Sequence, residues 1–204
     1  MTFTYQIAQV RRRIAAQLSC FRRTRHNLTV KARRAFYTSF IQSVVEYGSN
    51  AYVHTLRKHQ YDQRINTSKR AQRIVFGYPA RAPTGPIRER FSLAPLDMRF
   101  SLKLYIFIFR CLRGLTSNLL NDVFIFRSAA AHTDRITRGQ TTQSLSLPAA
   151  RSRYGCMSLS YLGVGKWNHL PANIRTLAHK HQFIPQLKLW LGYPVKRPTS
   201  VGLP

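Results

Sequence analysis

Acidic residues are almost missing from this chain. Six Asp and Glu stand against 33 Lys and Arg in 204 residues, a formal charge of +27. No acid precedes Glu46, and none follows Asp134. A chain this basic repels itself unless a polyanion offsets the charge. RNA or DNA is the first candidate partner, anionic membrane the second and an acidic protein the third. Cysteine is scarce as well. Cys20, Cys111 and Cys156 are odd in number and far apart, which excludes a disulfide framework and points to a reducing compartment. No signal-peptide core opens the chain. Its most apolar run, LKLYIFIFRCLRGL, is too short to span a bilayer and carries Lys103, Arg110 and Arg113, so no membrane association is expected.

Catalytic patterns are absent too. The six acids are Glu46, Asp62, Glu89, Asp97, Asp122 and Asp134, none closer than eight positions to the next (97 − 89). No pair is spaced to share a divalent metal on one helix face. Glu46 closes a long basic and apolar run, VKARRAFYTSFIQSVVEYGSNAY, where it reads as a helix-end residue instead of a catalyst. His179 and His181 are two apart and do not share a helix face, and no Cys or His pair has finger spacing. GVGKW fails as a phosphate loop, because Ser160 replaces the leading Gly and Trp167 the closing Ser or Thr. No enzyme activity, metal, cofactor or small-molecule substrate is expected. Oligomeric state has no signature.

What is present is arginine, 25 against 8 Lys, whose planar fork suits phosphate. Residues 5–24 place Ile7, Val10, Ile14, Leu18 and Phe21 three to four apart, one apolar stripe on a helix. A second helix is expected from an N-cap at Thr29 to Gly48, with Phe36, Phe40, Val44 and Tyr47 as its stripe and Tyr37, Ile41 and Val45 widening it. A third covers 59–77, with Tyr61, Ile65, Ala71, Ile74 and Val75 inward and Arg64, Lys69, Arg70 and Arg73 outward. The Pro/Gly stretch 79–86, PARAPTGP, reads as a linker, and the apolar helix after it runs from near Asp97 to Gly114. Residues 127–155 read as loop with room for a short strand at 143–147. Alternation of Met157, Leu159 and Tyr161 with serines suggests another strand, and Phe183, Leu187 and Trp190 or Leu191 a final helix. The tail from 194 reads as frayed.

The expected fold class is mainly α: a thumb-like helical bundle plus a downstream helical segment with room for short strands. Residues 1–80 form the basic helical region, 81–130 the apolar core-helix region after the linker, and 131–204 a loop-rich segment with a C-terminal helix. The residues expected to contact phosphate are Arg11, Arg12, Arg13, Arg22, Arg23, Lys31, Arg33, Arg34, Lys69, Arg70 and Arg73.

Five pieces in order add a family resemblance. They are Arg33 or Arg34 with Tyr37, Tyr47, Gly48 and Tyr52; Ala71, Gln72, Arg73, Ile74 and Gly77; Leu93, Pro95, Leu96, Arg99 and Gly114; NLLNDVF; and Trp167, Asn168, Leu170, Pro171, Ile174 and Arg175, followed by Phe183 and Leu187. This order resembles the region downstream of the palm in non-LTR (LINE-type) retrotransposon reverse transcriptases. The resemblance implies a thumb that grips a template–primer duplex, hence RNA or an RNA–DNA duplex as partner. It also implies a C-terminal fragment of an RNA-directed DNA polymerase, because the palm's Y-x-D-D type motif, an endonuclease-like region and a Cys/His knuckle have no counterpart in the sequence. The competing reading is a stand-alone basic RNA-binding protein such as an organellar ribosomal component. The Arg-rich, acid-free first 25 residues share a presequence's composition, but that bias runs on through the chain, so a nuclear or cytoplasmic place is expected over a mitochondrial one. A third reading is a product that does not fold stably without its missing palm.

Overall fold

The apolar stripe at the N-terminus builds helix α1, Thr4–Thr24, and buries all five of its residues: Ile7, Val10, Ile14, Leu18 and Phe21. The computed structural model describes residues 3–127 and 143–194. The loop reading for 128–142 and the tail reading for 195–204 lie outside the described residues. The described chain is mainly α-helical and forms no sheet. An isolated bridge pairs Phe126 with Leu145.

After α1, the Thr29 hydroxyl accepts from the Ala32 N–H at 3.3 Å and opens α2, Val30–Phe36. The helix then widens into a π-helical stretch, Tyr37–Gln42, and tightens again as α3, Ser43–Glu46. This interruption comes with local competition for backbone carbonyls. Thr38 donates to the carbonyls of Arg34 and Ala35, and Ser43 to those of Ser39 and Phe40. The buried residues here are Tyr37, Ile41, Val45 and Glu46. The expected stripe of Phe36, Phe40, Val44 and Tyr47 is therefore corrected: Phe40 is 53% and Tyr47 74% exposed. Tyr37 wins the inward position because its hydroxyl is satisfied there, 3.0 Å from Ser68 Oγ and accepting from Gln72 Nε2 at 2.9 Å. Phe36 stacks at the edge, between Phe21 at 4.3 Å and Phe40 at 5.2 Å.

A short helix α4, Ser49–Tyr52, precedes α5, Lys58–Phe76, which ends at Gly77 with φ 78°, a left-handed position that only glycine adopts freely. The Tyr78 N–H reaches back to the Arg73 carbonyl at 2.8 Å to close that cap. The inward face of α5 differs from expectation. Ala71 and Val75 are buried, but so are Gln60, Arg64, Ser68 and Gln72, four polar residues at every fourth position. Arg64 is 2% exposed, not outward, and its Nη2 donates to the Val45 carbonyl. Its aliphatic stem fills core space while the guanidinium meets a carbonyl near the end of α3. Gln60 likewise bonds Thr4 Oγ1 at 3.2 Å.

Helix α6, Thr84–Arg90, begins inside the Pro/Gly stretch, and Arg73 Nε holds the Ala82 carbonyl at 2.7 Å. Phe91 stacks on Phe76 at 4.0 Å. The apolar helix α7, Leu96–Leu112, follows with Asp97 in its first turn and Gly114 just beyond it at φ 65°. Then come α8, Asn118–Asn121; α9, Arg153–Cys156; α10, Leu159–His169; α11, Ala172–Arg175; and α12, Lys180–Trp190. The strand expected around Met157–Tyr161 is a helix start instead. The Ser158 hydroxyl accepts from the Tyr161 N–H at 3.2 Å and caps α10. The strand expected at 143–147 contributes an isolated bridge at Leu145.

Contacts divide the chain into two compact units, one of Met1–Ser49, Leu56–Asp97 and Tyr193–Pro204, the other of Asn50–Thr55 and Met98–Gly192. The Pro/Gly stretch lies within the first. The core of the second stacks Phe109 on Phe183 at 4.3 Å, with Trp167 5.9 Å from Phe183. Gly163 sits where a Cβ would lie 2.8 Å from the Phe124 ring, so α10 passes that ring at a distance only glycine allows.

Candidate nucleic-acid interface

Helix α1 packs along α5, and an open groove of about 700 Å³ runs between them. Its walls follow from helical spacing. On α1, Arg11 and Arg22 stand eleven positions apart, close to three full turns, and so share one flank of the buried stripe. Ala8 and Ala15 lie between and before them with side chains too small to fill the space. On α5, Gln63, Asn66 with Thr67, Arg70 and Ile74 fall on successive turns beside the buried polar row. Ile14, Leu18 and Ile74 supply an apolar floor. Arg11, Arg12, Arg22 and Arg70 supply the charge, and no Asp or Glu lines the groove. Four arginines line one groove with no carboxylate among its lining residues, so the local field favours an anion.

Of the eleven residues expected at phosphate, these four come together. Arg13 and Arg23 are exposed on α1 without lining the groove, and Lys31 is exposed on α2. Arg34 and Lys69 are half-buried. Arg33 and Arg73 have structural work: Arg33 Nε donates to the Leu28 carbonyl at 3.1 Å, and Arg73 Nε to Ala82. Sequence reasoning missed Gln63, Asn66 and Thr67. Neutral polar residues on a helix carry no charge signal, and only the 63–66–67–70–74 spacing ties them to Arg70.

No family model, no curated protein and no solved structure matches the chain. Function must therefore be read from its own residues.

Elsewhere the polar residues serve the fold. Trp167 Nε1 donates to the Gln143 carbonyl at 3.1 Å, and Arg175 Nη1 to Ser144 Oγ at 2.7 Å. The Asn168 side chain accepts from the Leu145 N–H at 2.8 Å and donates to its carbonyl at 3.0 Å. The W-N-x-L-P-x-x-I-R stretch thus clamps residues 143–145, and this segment also bonds Arg127 through the Ser144 carbonyl and Ile125 through the neighbouring Ser146 N–H. Burial holds the Arg175 guanidinium below its ordinary value. Burial, with Lys166 as the smaller cause, does the same to the His54 imidazole. Burial also pushes the Tyr105 phenol up to about 12 and raises the Cys111 thiol. His179 and His181 stack at 5.3 Å beside a more open hollow lined by Lys180, Ile184 and Pro185. Among the described residues no group of three or more His, Cys, Asp or Glu is placed to hold a metal, and no helix is long and apolar enough to cross a membrane.

Glu46 is buried, 4% exposed, at the end of α3 and beside the carbonyl that Arg64 holds. Glu46→Gln is expected to lower stability by about 1–3 kcal/mol, the range for disturbing a buried charged hydrogen-bonding group. Nucleic-acid affinity should not move. Thermal melts paired with a binding titration check both halves.

Proposed function

We propose that this chain is a nucleic-acid-binding module of the kind found downstream of the palm in LINE-type reverse transcriptases, holding RNA or an RNA–DNA duplex without copying it. The observation that carries this reading is the α1–α5 groove, which Arg11, Arg12, Arg22 and Arg70 line with no acid among the lining residues. A net charge of +27 extends the same field over the whole chain. Helices α2–α3 and α5 carry two of the five sequence pieces on which the resemblance rests. The W-N-x-L-P-x-x-I-R stretch takes a structural role, which suits a signature shared for packing. On this reading the chain's carboxylates serve helix ends and surfaces, and polymerisation belongs to a palm.

A titration of labelled RNA–DNA duplex across a salt series tests the binding, alongside primer extension with magnesium and nucleotides. If roughly six to ten phosphates are engaged, affinity should fall by about three to five orders of magnitude between 50 and 200 mM salt. Absent or salt-insensitive binding would defeat the proposal, and so would primer extension.

A further inference from the structure

We infer that the α1–α5 groove receives an unstacked base of a single-stranded nucleic acid, with the flanking phosphates on its arginine rim. This rests on the nucleic-acid-binding reading above and goes beyond it, because gripping phosphates alone requires none of the groove's other chemistry.

The groove combines three features that match an unpaired nucleotide. First, its floor is aliphatic. Ala8, Ala15 and Ile74, with Ile14 and Leu18 buried beneath them, offer apolar contact to a base face, which a duplex keeps stacked against neighbouring bases. Second, Gln63 and Asn66 line the same space. Each side-chain amide presents both a donor pair and an acceptor, the complement of a base's Watson–Crick edge. Thr67 adds an acceptor, since its hydroxyl proton is committed to the Gln63 carbonyl at 2.7 Å. Third, the size is right. A groove of about 700 Å³ falls within the usual 300–1,000 Å³ range of small-ligand sites. Helices in direct contact lie about 8–10 Å apart, so a duplex can rest phosphates on this rim but cannot enter between them.

The rim fits the strand on either side of that base. Arg11 and Arg22 are about 16 Å apart along the α1 axis, a span of several nucleotides, and Arg70 faces them from α5. Guanidinium planes also stack on bases. No aromatic ring lines the groove.

That last point makes the inference directly measurable. An RNA oligonucleotide carrying one 2-aminopurine is titrated with the whole chain, both as a single strand and annealed to its complement, following anisotropy and 2-aminopurine emission. On saturation of the single strand, emission is expected to rise, because the base leaves its stacked neighbours for an aliphatic surface. The double variant Gln63→Ala, Asn66→Ala is expected to weaken single-strand binding by about tenfold, the worth of two net hydrogen bonds, and duplex binding by clearly less. Both residues are exposed, so the fold should tolerate the change, and a thermal melt verifies it. Unchanged emission in a saturated complex overturns the inference while the binding function stands. So does a double variant that weakens both forms equally, or neither. Failure to bind either form overturns the nucleic-acid reading itself.

Discussion

Replacing Arg11, Arg12, Arg22 and Arg70 together by Gln is expected to remove about a hundredfold of the salt-dependent change in nucleic-acid affinity between 50 and 200 mM. Each neutralised phosphate contributes about 0.9 to the slope of log affinity against log salt on a B-form duplex, so four contacts contribute about 3.6. Over a fourfold salt range that slope amounts to about two orders of magnitude. Gln keeps most of the side-chain length and its hydrogen-bonding capacity while removing charge, so the comparison isolates electrostatics. The fold should survive. Arg11, Arg12, Arg22 and Arg70 are all exposed, and the residues packed beneath them on α1 are untouched. A charge-matched control changes Arg81, Arg151, Arg153 and Lys188, which are exposed and outside the groove. If the control flattens the salt slope as much as the groove variant does, binding is a property of net charge and the groove has no special part in it.

Trp167→Ala is expected to be the most damaging single change, costing about 3–5 kcal/mol. The side chain is 1% exposed and packs 5.9 Å from Phe183, which in turn stacks on Phe109, so its removal opens a cavity in the middle of an aromatic cluster. Its indole also holds the Gln143 carbonyl, and that acceptor loses its donor. Set against a typical domain stability of about 5–15 kcal/mol, the loss is enough to unfold a weak unit. Trp167→Phe separates the two causes: it keeps most of the packing, deletes the N–H, and should cost about 1–3 kcal/mol. Thermal melts of the two variants give the comparison. Near-wild-type stability for Trp167→Ala would mean that the cluster and the clamp on residues 143–145 are not what holds this unit together.

How much of this was readable beforehand differs from helix to helix. The buried face of helix α1 was legible to the residue, because its five apolar positions face one way. Thr29, Gly77 and Gly114 marked helix ends correctly, since capping chemistry is local. Arg64 was misplaced for a reason hydropathy cannot see: a charged residue is buried when its stem packs and a carbonyl from elsewhere in the fold meets its head. The same holds for Gln60, Ser68 and Gln72, whose partners Thr4 and Tyr37 come from other helices. At Met157–Tyr161, five alternating residues outweighed a capping serine that was equally visible. In the groove, the arginines were legible as charge, but their sharing one groove depends on which flank of α1 meets which flank of α5. Gln63, Asn66 and Thr67 gain meaning from that pairing alone.

The π-helical stretch Tyr37–Gln42 has a bearing on how this chain should be lined up with others. A π turn takes up about one more residue than an α turn at the same height, so it is where a helix absorbs a single-residue insertion without moving its ends. A homologue one residue shorter between Thr29 and Gly48 would run this segment as plain α-helix. Without a gap at that turn, every position on one side of it would be matched to its neighbour, and Tyr37, Ile41 and Val45 would seem to change identity when only their numbering had.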